Sequence, residues 1–461
     1  MKLRVFLHNK YESVFSDSRT GSIIKNISVG FVAKSLSILL SIFFQIPITL
    51  SVLSKTEYGI WLTLFSISSW LVYFDFGLGH GLRNKLTEAL AEGDLKKGKL
   101  IVSTTYRSFF IIFFSIIILF SLVAYWLPWG KILNTSLIPQ NDMLILVYFS
   151  FICSLLNFIA NLINTVLAAN HLSRISDFLL LTTQIVILLA IIFIKYSPLD
   201  NKLIPFGIVL SLAPLIINVI ASVYFFQKKF KKISPSINLF DKAYLRDVFS
   251  VSIKFFVIQM TMLIIFGTDN ILITQLYSSA EVTTYNIVYR YLSVIPIAFG
   301  IITVPLWTMY TDAFKKKDIL WVDKTIKRLL KLFILASIFI LTMVFLCNWV
   351  LKIWLNSAFA PSIIFVFFLA IYNLQLIWNN IFIIPLNAIG KLNLQMGFAI
   401  FAAIINIPLA LFLSNYIESI LSVVIANILS LLFSSIAVTC QYYLVLSKAK
   451  NEHKNHFNMS I

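Results

Sequence analysis

A chain of 461 residues that is 59% hydrophobic and 12% charged, with mean hydropathy +0.91, leaves no room for a large soluble domain. Its net charge of +18 would suit nucleic acid, but the basic residues cluster in the loops of one membrane side, which excludes that role. The composition is that of an all-α polytopic membrane protein, with no cofactor motif and no metal-ligand spacing.

Twelve spans are predicted, near residues 26–52, 57–78, 106–127, 142–168, 176–194, 204–226, 251–276, 282–310, 330–350, 362–386, 393–413 and 418–445. Of the 37 Lys and Arg, only Lys55, Lys131, Lys195, Lys202 and Lys352 then fall in outer segments, and only Lys34, Lys254 and Arg290 inside spans. This asymmetry places both termini in the cytoplasm. The N-terminal stretch is too polar for a signal-peptide core, and Cys153, Cys347 and Cys440 sit in apolar spans, so neither cleavage nor a disulfide is expected.

The first span carries Gly30, Lys34, Ser37, Ser41 and Gln45 on one helical stripe. Lys34 lies about 12 Å from the membrane edge, deep for a snorkelling side chain, so the stripe reads as a cavity wall. Pro47 offers a bend near the outer end. The second span opens with the capping box Ser54-Lys-Thr-Glu57 and ends where Gly77, Gly79 and Gly81 break the helix around Asp75, His80 and Arg83. Asp75 and Arg83 form a candidate inner gate, followed by a short amphipathic helix over 84–92. His80 has no partners for a metal.

The third span is uninformative. In the fourth, Asn157, Asn161 and Asn164 share a face; amides inside lipid need partners, from a neighbouring helix or from a hydrated cavity. The tenth span echoes this with Asn373, Asn380 and Asn387 at spacings of seven. Between the sixth and seventh spans, the basic stretch 228–250 is expected to link two halves and clamp the inner leaflet.

The seventh and eighth spans form a hairpin with three charges. Lys254 and Asp269 lie on the first arm and Arg290 on the second, where Asn286, Arg290 and Ser293 share a face. Charges in hydrocarbon cost about 3 kcal/mol each, and Asp269 and Arg290 fall at matching depths if the second arm starts at Val282, which predicts a buried ion pair. The turn Ser278-Ser-Ala-Glu281 is a second capping box.

That hairpin has a twin. Shifting the chain by 224 positions superposes Ser54 on Ser278, Glu57 on Glu281, Thr87 on Thr311, Ala89 on Ala313 and Asp94 on Asp318 without a gap. The chain therefore reads as an internal duplication: a six-helix bundle over 1–227, a basic cytoplasmic linker over 228–250 and a second six-helix bundle over 251–461. Six spans per half make a parallel repeat, an arrangement that places a substrate site between halves.

The stretches YGIWLTLFSISSWLVYFDFGLGHGLRNKLTEALAEGD (58–94) and FGTDNILITQLYSSAEVTTYNIVYR (266–290) resemble the O-antigen and polysaccharide-unit flippases of the multidrug/oligosaccharidyl-lipid/polysaccharide (MOP) exporter superfamily. The resemblance implies two bundles in a MATE-like V and export of an undecaprenyl-pyrophosphate-linked oligosaccharide across a bacterial inner membrane by alternating access. It implies a cationic cavity in spans that hold Lys34, Lys254 and Arg290, which would meet the pyrophosphate. Asp269 would release Arg290 to substrate or take up a coupling proton or Na+. Gln45, Asn157, Asn161, Asn164, Asn286, Asn373 and Asn380 would line the cavity, with Trp61, Trp70, Tyr289 and Trp378 as sugar-facing aromatics. Partners implied are membrane lipids, a polysaccharide polymerase and a chain-length regulator.

Three rivals compete. A membrane glycosyltransferase or polymerase needs a carboxylate-bearing outer region, and the longest outer segment, about 128–141, is read as lacking one. A MATE-like small-molecule antiporter needs an acidic cavity. A scaffold leaves the polar stripes without purpose.

Overall fold

The computed structural model describes Gly30 and residues 32–71, 78–170, 172–245, 260, 263–264, 267–303, 306–355, 359–389 and 393–459. Lys254 and Asp75 lie outside them. Among the described residues nine helices are long and apolar enough to cross a membrane. In lipid a helix satisfies its own backbone polar groups, so long apolar runs have no other stable form. The remaining expected spans fall on 57–78, 251–276 and 282–310, which are only partly described.

The described residues form two compact units. The first holds α1 (Val32–Val52), α3 (Leu78–Ala91), α4 (Leu95–Ala124), α6 (Gln140–Ala169), α7 (Ser173–Tyr196) and α8 (Leu203–Lys228). In α1 a π-helical turn at Leu40–Gln45 runs into the α-helical stretch Ile46–Val52, so the local adjustment sits just ahead of Pro47, which has no N–H to give. Helix α3 begins at Leu78, so Gly79 and Gly81 lie inside a helix that was expected only from 84. Its Leu78, Leu82, Leu86 and Ala89 repeat at helical spacing and bury against α4 and α6. The stretch after α8 is no free linker. Ser236 N–H donates to Ser103 Oγ at 2.9 Å and Asp241 N–H to Thr104 Oγ1 at 3.0 Å, fastening it along α4.

The second unit contains α2 (Lys55–Ser69), the segment Gly130–Ser136, α9 (Asp269–Leu276), α10 (Ser279–Thr303), α11 (Leu306–Lys315), α12 (Ile319–Leu355), α13 (Ile363–Ala388), α14 (Asn393–Ser414) and α15 (Leu421–Met459). The short helix α5 (Trp129–Ile132) straddles the boundary between the units. Structural grouping thus departs from sequence order, since α2 packs on α10. A Cβ on Gly59 would be driven into the Ser279 carbonyl, and Thr283 Oγ1 donates to the Lys55 carbonyl at 2.6 Å.

The 224-residue register reappears in the helix boundaries. Helices α2 and α10 start at Lys55 and Ser279, α3 and α11 end at Ala91 and Lys315, and α4 and α12 start at Leu95 and Ile319. Gly93 (φ 74°) and Lys317 (φ 57°) both adopt the left-handed conformation, and the bonds Asp94 N–H to Ala89 O and Asp318 N–H to Ala313 O, both 2.9 Å, close the same C-terminal cap. Asp94 and Asp318 then cap the next helix, accepting from Lys97 N–H at 2.9 Å and Trp321 N–H at 3.0 Å.

Candidate functional site

In the second unit a carboxylate is buried among amides and phenols. Asp269 opens α9 and is 3% exposed. Its Oδ2 accepts from the Tyr285 hydroxyl at 2.6 Å and from Asn427 Nδ2 at 2.9 Å. Behind it, Asn406 Nδ2 donates to Asn427 Oδ1 at 2.7 Å, which ties α14 and α15 to α9. The Tyr285 ring lies nearly parallel to Tyr289 at 6.0 Å, and Tyr289 continues to Tyr372 at 6.5 Å. Asp269 Oδ1 and Asn406 Oδ1 are buried with no hydrogen-bond partner among the described residues. A buried carboxylate with one oxygen saturated and the other free is a ready acceptor for a proton or a cation.

The expected Asp269–Arg290 ion pair is not formed. Helix α10 starts at Ser279, three residues before the Val282 assumed from sequence, so Arg290 falls about one turn deeper than Asp269 and Tyr285 comes level with it instead. Arg290 is partly exposed, and among the described residues no carboxylate lies within ion-pair distance of it. Lys34 is exposed on α1, and its charge is felt by Asp177 on α7. Arg83 is exposed, while its expected gate partner Asp75 lies outside the described residues, as does Lys254.

The predicted polar stripes are largely engaged with neighbouring helices. Gln45 Nε2 donates to Gln184 Oε1 at 2.8 Å and to the Gln184 carbonyl at 2.9 Å. Asn164 Nδ2 donates to Asn161 Oδ1 at 2.7 Å and to Asn218 Oδ1 at 3.0 Å, and Asn218 Nδ2 donates to Asn157 Oδ1 at 2.9 Å. These four amides join α6 to α8. Asn286 Nδ2 donates to Asn270 Oδ1 at 2.8 Å.

Asn373 is fully buried, its Nδ2 bonded to the Leu369 carbonyl at 2.8 Å, whereas Asn380 is exposed and Asn379 is buried in its place. Helix α13 packs on α10, α12 and α15 at once, so a single seven-residue stripe does not define its inward face. Trp61 is 2% exposed, Trp70 Nε1 donates to the Gly267 carbonyl and Trp378 Nε1 to Thr439 Oγ1, so the indole N–H groups of Trp70 and Trp378 are occupied within the unit.

Sequence reasoning missed Tyr285, Asn406 and Asn427. Asn406 and Asn427 were legible as amides inside apolar spans; what hid them was the lack of any local periodicity connecting them to Asp269, 158 residues from Asn427.

The polysaccharide biosynthesis protein family matches residues 23–308. A Yersinia pseudotuberculosis protein named for O-antigen export is 23% identical over 367 residues, covering 76% of this chain and 80% of its own length. Among solved structures, an inward-facing multidrug resistance MATE family transporter of the MOP superfamily is similar with TM-score 0.73 at 11% identity, over 93% of this chain and 99% of that one. An outward-facing MATE transporter of the same superfamily is similar with TM-score 0.62 at 12% identity, over 93% of this chain and 96% of that one. The fold is that of the solved MATE family transporters, and the chain belongs to the polysaccharide biosynthesis protein family.

Proposed function

We propose that the protein is a flippase that moves an undecaprenyl-pyrophosphate-linked O-antigen or polysaccharide repeat unit across the bacterial inner membrane by alternating access. The observation that carries this reading is the polysaccharide-family match over residues 23–308 on an exporter fold, in a chain whose spans still hold the cations Lys34 and Arg290. A pyrophosphate moving through hydrocarbon needs cationic partners, and Arg offers it bidentate contacts where Lys offers a point charge. Lys34, Lys254 and Arg290 are assigned to the headgroup, Asp75 and Arg83 to the inner gate. The amides at Gln45, Asn157, Asn161, Asn164, Asn286, Asn373 and Asn380 are retained as the polar lining only where their bonds open during transport.

Asp269 is assigned to coupling. Its unpartnered Oδ1 takes a proton or Na+ in this reading, a role that no longer involves Arg290. Both termini are placed in the cytoplasm by the charge asymmetry, and a polymerase and chain-length regulator act on the flipped product. The protein is read as a transporter and not an enzyme.

Expression in a bacterium lacking its own O-unit flippase tests this. A restored lipopolysaccharide ladder is expected, and it should disappear in Arg290→Ala and Lys34→Ala at normal membrane expression. A normal ladder in both variants would remove the cationic-cavity mechanism. The second reading, a MATE-like small-molecule antiporter, is favoured by the buried acid Asp269; it predicts no ladder and instead resistance to cationic drugs.

A further inference from the structure

Four stretches meet at one end of the second unit: the residues entering α2, the α9–α10 turn, residues 359–362 ahead of α13 and the α14–α15 segment. They line an open cleft of about 610 Å³, within the ~300–1,000 Å³ usual for small-molecule sites. The Tyr277 hydroxyl, bonded to the Ile417 carbonyl at 3.0 Å and to Ser422 Oγ at 2.6 Å, ties two of these stretches together, so the wall is preformed. The Lys55 ammonium stands 4.2 Å over the ring of Phe359, itself 3% exposed, which holds a cation in place at the rim.

The duplicated capping boxes differ here in a way that bears on ligand binding. In the first, Ser54 N–H and Oγ–H both donate to Glu57 Oε2, at 2.8 and 2.7 Å, so that carboxylate is consumed locally. In the second, Glu281 N–H donates to Ser278 Oγ at 3.3 Å, but no return bond reaches the Glu281 carboxylate, which lines the cavity. Glu418 lines it as well, and neither carboxylate has a hydrogen bond or an ion pair among the described residues.

Two free carboxylates give the cavity a net negative charge that disfavours an anion, while Lys55, fixed at the rim, already supplies a cation beside them. A polyol matches both, because each hydroxyl donates to a carboxylate and accepts from the ammonium. We propose that this cavity binds an uncharged sugar ring of the exported glycan, at the end of the unit remote from the basic loops. The glycan as source rests on the flippase reading; the sugar site itself does not.

The test is saturation-transfer NMR on the full chain in nanodiscs with D-galactose, L-rhamnose and N-acetyl-D-glucosamine, beside glucosamine and glucuronate as charged counterparts. At least one neutral sugar is expected to receive saturation, with affinity falling tenfold or more in Glu281→Gln/Glu418→Gln, a shape-conserving pair that leaves the thermal midpoint in place. Transfer to none of the neutral sugars, to charged ones only, or to the variant as strongly as to the wild type overturns the site. The same variant in the ladder assay separates the sources. A weakened ladder supports the carried glycan; an intact ladder with sugar binding lost overturns that source in favour of a free sugar. Sugar binding by a protein that restores no ladder at all leaves the site standing and removes the flippase reading.

Discussion

The Tyr285 hydroxyl donates to Asp269 Oδ2 at 2.6 Å across the α9–α10 hairpin, joining residues sixteen positions apart at equal depth from the turn. This bond, with the one from Asn427, takes the place an arginine was expected to fill. Neutral donors let the carboxylate stay buried without the desolvation of a second charge.

Removing one donor should therefore be costly. Tyr285→Phe is expected to lower stability by about 1–3 kcal/mol, the loss of one of the two hydrogen bonds that the buried Oδ2 accepts. Asp269→Asn, which keeps the shape, should cost less stability but abolish the lipopolysaccharide ladder under the coupling reading. Unfolding in detergent beside the ladder assay separates the two effects, and an intact ladder in Asp269→Asn would end the coupling role.

Lys317 is a lysine where its structural twin, Gly93, is a glycine, and both have positive φ. A side chain in the left-handed conformation costs about 1 kcal/mol. Lys317→Gly is expected to raise the thermal midpoint and Gly93→Ala to lower it. A destabilised Lys317→Gly would show that the lysine side chain matters more than its backbone.

Gly59 is where α2 passes closest to α10. Because a Cβ there would collide with the backbone carbonyl of Ser279 and not with a movable side chain, Gly59→Ala must push the helices apart. Reduced yield of folded protein in size-exclusion chromatography is expected, with Gly59→Leu worse than Gly59→Ala. Wild-type behaviour of the leucine variant would contradict the contact.

The Asn157–Asn218–Asn164 chain distinguishes helix adhesion from substrate contact. Asn218→Ala should cost about 0.6–2 kcal/mol, the range for interhelical amide bonds in membranes. If the amides serve adhesion, the ladder survives this loss. A lost ladder at unchanged stability would assign them to the transport path.

Much of the architecture was legible in the chain because its causes are local. Lipid leaves a long apolar run no alternative to a helix, and capping residues act within four positions, so the nine spans found among the described residues, the Ser54–Glu57 box and the 224-residue register through Asp94 and Asp318 could be read directly. The partners of Asp269 could not. They depend on how far into the hairpin α10 begins and on which faces α14 and α15 turn toward α9, and three residues of slip at Ser279 were enough to replace Arg290 with Tyr285. The same holds for α2, which belongs to the first half by sequence and packs in the second unit because Gly59 admits the Ser279 backbone. Helix rotation, depth and partner choice are set by contacts between residues far apart in the chain, and only the tertiary structure decides them.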